Sequence, residues 1–252
     1  MGLSLSFSRL YKPYIKRYDS PHGCGKLSSI MRTLYHLWLH PFSRKVRVLL
    51  AEKKLEFELE IEKIWERRTE FLAMNPAGDV PVLVEPDGTT LANSQVICEY
   101  MEEVYPQVNL LGSDPVQRAE TRRLVGWFDV KFNHEVSDNL LGEKMMKRLL
   151  KLGEPHGPSV RAGHANIHYH LDYIGFLTDK RTWLAGEDFS LADIAAAAHL
   201  SAVDYIGDVP WEEHQAARDW YARVKSRPSF KALLEDRIPG FTPVEHYENV
   251  DF

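Results

Sequence analysis

The chain has 252 residues, 44% hydrophobic and 27% charged, with a formal net charge of −5. That length suits one large or two small domains of ordinary composition; the acidic balance gives no electrostatic case for nucleic acid, and no apolar run approaches a membrane span. Its two cysteines, Cys24 and Cys98, form no Cys-x-x-Cys pair, which argues against a disulfide framework and a structural zinc and fits a reducing cytoplasm.

Residues 1–30 stand apart. They carry Arg9, Lys12, Lys16, Arg17 and Lys26 against one acid, Asp19, with no long apolar period and no apolar middle of a secretory signal. They read as a disordered extension or the product of an upstream start, with Met31 as the natural first residue; a basic transit peptide is the lesser alternative. Thr33-Leu34-Tyr35-His36-Leu37 then reads as a strand. After the turn Leu39-His40-Pro41-Phe42-Ser43-Arg44, Val46, Leu49, Leu50 and Lys53 recur at helical spacing, with Arg44, Lys45, Arg47 and Glu52 on the other face. A helix start offers unpaired N–H groups and a favourable dipole to an anion. Ser43 lies there, either as a helix cap or as a donor to a bound thiolate.

Residues 56–62 alternate Glu with Phe, Leu and Ile, predicting a strand with one buried face that pairs parallel to the first. Residues 65–74 read as a loop or short helix. Residues 80–85 and 89–92 are two strands around the hairpin signal Asp87-Gly88. Helical spacing returns from Ser94 until Pro106. The order β-α-β-(α)-β-β-α over residues 31–112 is thioredoxin-like. Beyond the linker Leu110-Leu111-Gly112-Ser113-Asp114-Pro115, everything to residue 238 reads as an all-helical domain. A long helix spans residues 118–150, and a second follows Pro158 with Ile167, Leu171, Ile174 and Leu177 on its core face. Ser190-Leu191-Ala192-Asp193 is a capping box opening an apolar helix that should be buried, and two short helices follow. Residues 239–252 read as an irregular tail. Its acids Glu245, Glu248 and Asp251 and its terminal Phe252 suit a mobile partner-binding peptide; the alternative is an end wrapped over the domain surface. Trp38 is either core or an exposed anchor beside the turn. Cys98 reads as a packing residue. Tyr35, His36, His40, His168 and His170 lack ligand spacing, so no metal is expected.

A thioredoxin-like α/β domain followed by an all-α domain resembles the glutathione-transferase superfamily. Pro41-Phe42-Ser43-Arg44-Lys45-Val46-Arg47 is similar to its active-site turn, and Asn75-Pro76-Ala77-Gly78-Asp79-Val80-Pro81 to its cis-proline segment. Leu91-Ala92-Asn93-Ser94-Gln95-Val96-Ile97 is similar to its fourth strand and third helix. The resemblance implies that Pro81 is cis and that glutathione is the ligand. It further implies that the Val80 backbone pairs with the cysteinyl unit and that Ser94 holds the γ-glutamyl carboxylate. Asn93 stands where the family carries Glu or Gln, one methylene longer. Ser43 would stabilise the thiolate; lowering a thiol by two pKa units needs about 2.7 kcal/mol of preference for the anion, within reach of a helix start and a charge-assisted hydrogen bond.

The helical half and the tail are similar to an alphaproteobacterial branch of that superfamily, cell-division regulators that bind FtsZ. The stretches concerned are Trp127-Phe128-Asp129-Val130-Lys131-Phe132, Glu143-Lys144-Met145-Met146-Lys147-Arg148, residues 168–174 and the ending His246-Tyr247-Glu248-Asn249-Val250-Asp251-Phe252. That likeness implies a homodimeric adaptor gripping FtsZ filaments, with Trp38, Asp251 and Phe252 as contacts. The alternative is a working glutathione-dependent transferase acting through Ser43 on small electrophiles.

Overall fold

The structure, a computed structural model, describes residues 31–250; the basic extension at residues 1–30, Asp251 and Phe252 lie outside the described residues. Four strands form one mixed sheet: β1 (Arg32–His36), β2 (Phe57–Ile61), β3 (Val82–Val84) and β4 (Thr90–Ala92), in the order β2-β1-β3-β4. β2 runs parallel to β1, as the strand-helix-strand order predicts, while β3 and β4 are antiparallel neighbours. Gly88, with φ of 86°, makes the hairpin turn, a conformation that costs a side-chain-bearing residue more.

The helices are α1 (Pro41–Glu52), α2 (Thr69–Met74), α3 (Ser94–Val104), α4 (Pro115–Gly126), α5 (Lys147–Leu149), α6 (Gly157–Thr178), α7 (Leu191–Tyr205), α8 (Gln215–Lys225) and α9 (Pro228–Leu234). Between α4 and α5 the helix continues without a break, with the wider i→i+5 bonding over Trp127–Met146. Its buried residues Phe128, Phe132, Val136, Ser137, Leu140, Leu141 and Met145 follow that wider turn. Ser190 caps α7, accepting from the Ala192 N–H at 3.2 Å, while Asp193 Oδ2 accepts from the Ser190 N–H at 3.0 Å. All of α7 is buried, as its apolar run predicts.

Three expectations are corrected. The apolar face of β2 is open, with Leu59 36% and Ile61 46% exposed; of its apolar residues Phe57 packs against the core. The charged side of α1 does not face water. Arg44, Lys45 and Arg47 are all buried, since the helical half packs on them. Each meets an acid: Arg44 and Arg47 share Asp236 at 3.0 and 2.8 Å, and Lys45 pairs with Asp129; on the core face, buried Lys53 meets Glu102 at 2.7 Å. Finally, the tail is no free peptide up to residue 250. Tyr247 is fully buried; its hydroxyl accepts from Arg44 Nη1 at 2.8 Å and donates to the Leu233 carbonyl at 3.1 Å. The wrapped alternative describes it.

Candidate functional site

β1 delivers the chain through residues 37–40 to the start of α1, where Pro41 occupies the first turn and no side chain caps the helix. Ser43 lies in that turn but is buried, its Oγ 3.4 Å from His40 Nδ1. Burial lowers His40 to about 4 despite Asp79, whose Oδ1 lies 3.8 Å from His40 Nε2. His40 is therefore neutral near pH 7.

The Val80–Pro81 bond is cis, as expected, and both residues are buried. The Val80 N–H is already engaged: it donates to the Asp79 side chain at 2.8 Å. The Asn93 N–H donates to the Pro81 carbonyl at 3.3 Å, bringing the next helix start alongside. Asn93 has φ of 79°, and its side-chain oxygen accepts from the Gln95 and Val96 N–H groups at 2.8 and 3.5 Å. Asn93 thus caps α3 and consumes donors that would otherwise meet an anion. Ser94 is buried beneath it. The structure gathers Ser43, Val80, Pro81, Asn93 and Ser94 around one end of the sheet. Side chains of the chain itself engage the Val80 N–H, through Asp79, and the Gln95 and Val96 N–H groups, through Asn93.

Beside this cradle lies a cavity of about 560 Å³ walled by Trp38, Phe42, Ile61, Trp65, Leu141 and Met145, with Asn133 and Ser137 among its polar residues. Trp38 is only half-buried and packs edge-on against His36, with the Arg47 guanidinium 5.2 Å from its ring centre; it is neither deep core nor a free anchor. Ile61 and the 39% exposed Trp65 form the open rim. Sequence reading missed this rim because Trp65 sits among charges in a stretch without periodicity. It also missed Asp79, for which the only signal is an Asp that can bond a neighbouring N–H. Cys98 is buried in the core, and burial pushes its thiol up to about 12, so it is a packing residue and not a nucleophile.

The sequence pattern of the glutathione S-transferase N-terminal domain matches residues 41–104, and that of the C-terminal domain matches residues 171–228. FtsZ-localized protein A of Caulobacter vibrioides is 49% identical over 228 residues, covering 89% of this chain and 100% of that protein. The chain belongs to the glutathione S-transferase family. The structure of FzlA from C. crescentus superposes with a TM-score of 0.86 at 49% identity, covering 88% of this chain and 100% of that one. A glutathione S-transferase from Rhodospirillum rubrum F11 superposes with a TM-score of 0.87 at 56% identity, with the same coverage. A glutathione S-transferase from Methylobacillus flagellatus with glutathione bound is more distant, at 27% identity and a TM-score of 0.67, covering 84% of this chain and 100% of that one. In this transferase fold the Val80–Pro81 bond is cis, the Val80 N–H is bonded to Asp79, and Asn93 caps α3.

Proposed function

We propose that this protein is a homodimeric adaptor that binds FtsZ filaments and regulates cell division, with its glutathione cradle closed from within. The observation that carries the reading is the internal satisfaction of the cradle, Val80 N–H by Asp79 and the α3 start by Asn93. A ligand peptide would have to displace those bonds before making its own, and would gain little net energy from the exchange. Ser43, buried against His40, is poorly placed to meet a thiolate. The likeness to FtsZ-localized protein A along that protein's whole length supports the partner. The open rim of Ile61 and Trp65 beside Trp38 supplies apolar surface for it. Val96 on α3 and Val130 on the long helix, 50% and 69% exposed, leave apolar surface for self-association.

Co-sedimentation with FtsZ polymers tests the reading. Wild-type protein is expected in the pellet, and Trp38→Ala and Asp251→Lys are expected to weaken capture. Protein that stays in the supernatant overturns it. Sedimentation velocity tests the dimer. A second reading, a glutathione-dependent transferase using Ser43, draws on the retained cis-proline frame and on the 56% identical R. rubrum transferase. Calorimetric binding of glutathione at micromolar affinity, with turnover lost in Ser43→Ala, would favour it.

A further inference from the structure

Outside the cradle, the helix with i→i+5 bonding places Asp129, Asn133 and Ser137 one turn apart in succession. Ser137 and Asn133 reach the apolar cavity. Behind Ser137 stands His199 of α7, fully buried, with the Ser137 hydroxyl 3.1 Å from its Nδ1. Its other nitrogen, Nε2, lies 3.5 Å from Asp129 Oδ1. A carboxylate only accepts, so the imidazole proton belongs on Nε2, which leaves Nδ1 as an acceptor for the Ser137 O–H. Lys45 pairs with the second oxygen of Asp129. Burial pushes the Asp129 carboxyl up, but Lys45 and His199 more than offset it and hold the group ionised. Burial lowers His199 and keeps the ring neutral, while Asp129 beside it favours the protonated form that would follow proton uptake.

We propose that Ser137, His199 and Asp129 form a nucleophile, base and orienting acid that can acylate Ser137 with an uncharged apolar carboxylic ester held in the cavity. The order of roles is the one such chemistry needs: a hydroxyl within reach of a neutral imidazole, itself oriented by a carboxylate. As the Ser137 Oγ–H proton passes to His199 Nδ1, Oγ bonds to the acyl carbon and the ester C–O bond breaks. His199 returns the proton to the leaving alcohol. Water repeats the sequence to free the carboxylic acid and restore the serine. Asn133 donates one amide hydrogen to Asp138 at 3.2 Å, which leaves the other for the acyl oxygen. The walls formed by Trp38, Phe42, Leu141 and Met145 select an apolar acyl group and disfavour a charged one. The 3.5 Å gap between His199 and Asp129 is wider than a formed hydrogen bond; such contacts tighten when substrate binds.

The test is labelling of the full-length protein with an alkyl fluorophosphonate, followed by peptide mapping, together with p-nitrophenyl butyrate hydrolysis. Wild-type protein is expected to take the label at Ser137 and to release p-nitrophenolate. Ser137→Ala should abolish both and exposed Ser226→Ala should keep both. His199→Gln should slow labelling by about 10²- to 10⁴-fold. Absence of label on Ser137, label on another serine, or unchanged labelling in His199→Gln overturns the proposal. The mapping on wild-type protein decides the site even where a buried variant fails to fold.

Discussion

The carboxylate of Asp79 accepts the amide proton of Val80 at 2.8 Å, engaging the donor that the family resemblance assigns to a cysteinyl peptide. The two residues are adjacent in sequence, so little loop entropy opposes this bond, whereas a free tripeptide must give up its own freedom to compete. Asp79→Ala opens the donor and removes a negative charge from the path of an anionic ligand. Calorimetric titration is expected to show tighter glutathione binding than in wild type by about tenfold, roughly 1.4 kcal/mol. Identical isotherms would show that the cradle donors are not what limits binding.

The tail is held through Arg44. Its guanidinium donates to Tyr247 at 2.8 Å, to Ser201 at 2.8 Å and to Asp236 at 3.0 Å, all buried. His246 adds a contact from Nε2 to Asp204 at 2.9 Å. Removing residues 245–252 therefore leaves a buried cation short of one acceptor and uncovers the pocket filled by the Tyr247 ring. Urea unfolding is expected to show a loss of about 2–4 kcal/mol. Loss of FtsZ capture in such a truncation would then report partly on stability, and the point substitution Asp251→Lys is the cleaner probe of partner contact.

How legible was this in the residues? The α1 turn, the cis-proline segment and the Ser190 capping box are local. Their signals lie within a few positions of each other; the structure shows the Ser190 box as read and the Val80–Pro81 bond cis, as the resemblance implied, but Ser43 is buried and does not cap α1. The charged side of α1 was not legible. Arg44 and Arg47 meet Asp236 nearly two hundred residues away in sequence, and no spacing rule links them. The open face of β2 was missed because alternation specifies two faces but not whether anything covers the apolar one. The wide turn of Trp127–Met146 was missed for a related reason, since a search at the α-helical period does not resolve burial at every fourth to fifth position. In the candidate site, Val80, Pro81, Asn93 and Ser94 were named through the family resemblance, and the bonds from the Val80 N–H to Asp79 and from the Gln95 and Val96 N–H groups to Asn93 needed coordinates.

Gly163 of α6 packs against that wide helix. A Cβ added there would lie 2.8 Å from Leu140 Cγ and 3.0 Å from Asn139 Cβ. Leu140 is fully buried and has little room to yield. Gly163→Ala would gain helix propensity, yet overpacking should dominate and cost about 1–3 kcal/mol. A chemical denaturation midpoint at or above that of wild type would show that α6 can slide away from its neighbour.

Stability should also fall with acid before the carboxylates titrate, for a reason seated in His36. The ring is fully buried, and burial, with Arg47 next in weight, lowers it to about 3 from the ordinary 6.5. The unfolded chain takes up a proton at His36 as pH drops through 6.5, while the folded chain refuses it until about 3. Between those values the unfolded state binds more protons, so unfolding free energy rises with pH and is lost as pH falls. His170, lowered by burial to about 4, contributes with the same sign over a shorter window. His36→Leu removes one such proton, and the slope of unfolding free energy against pH between about 4.5 and 6 should drop by up to about 1.4 kcal/mol per pH unit. Urea titrations of both proteins at several pH values in that interval check this; parallel slopes would mean that His36 is protonated in the folded state and that the buried ring is not the acid-sensitive element.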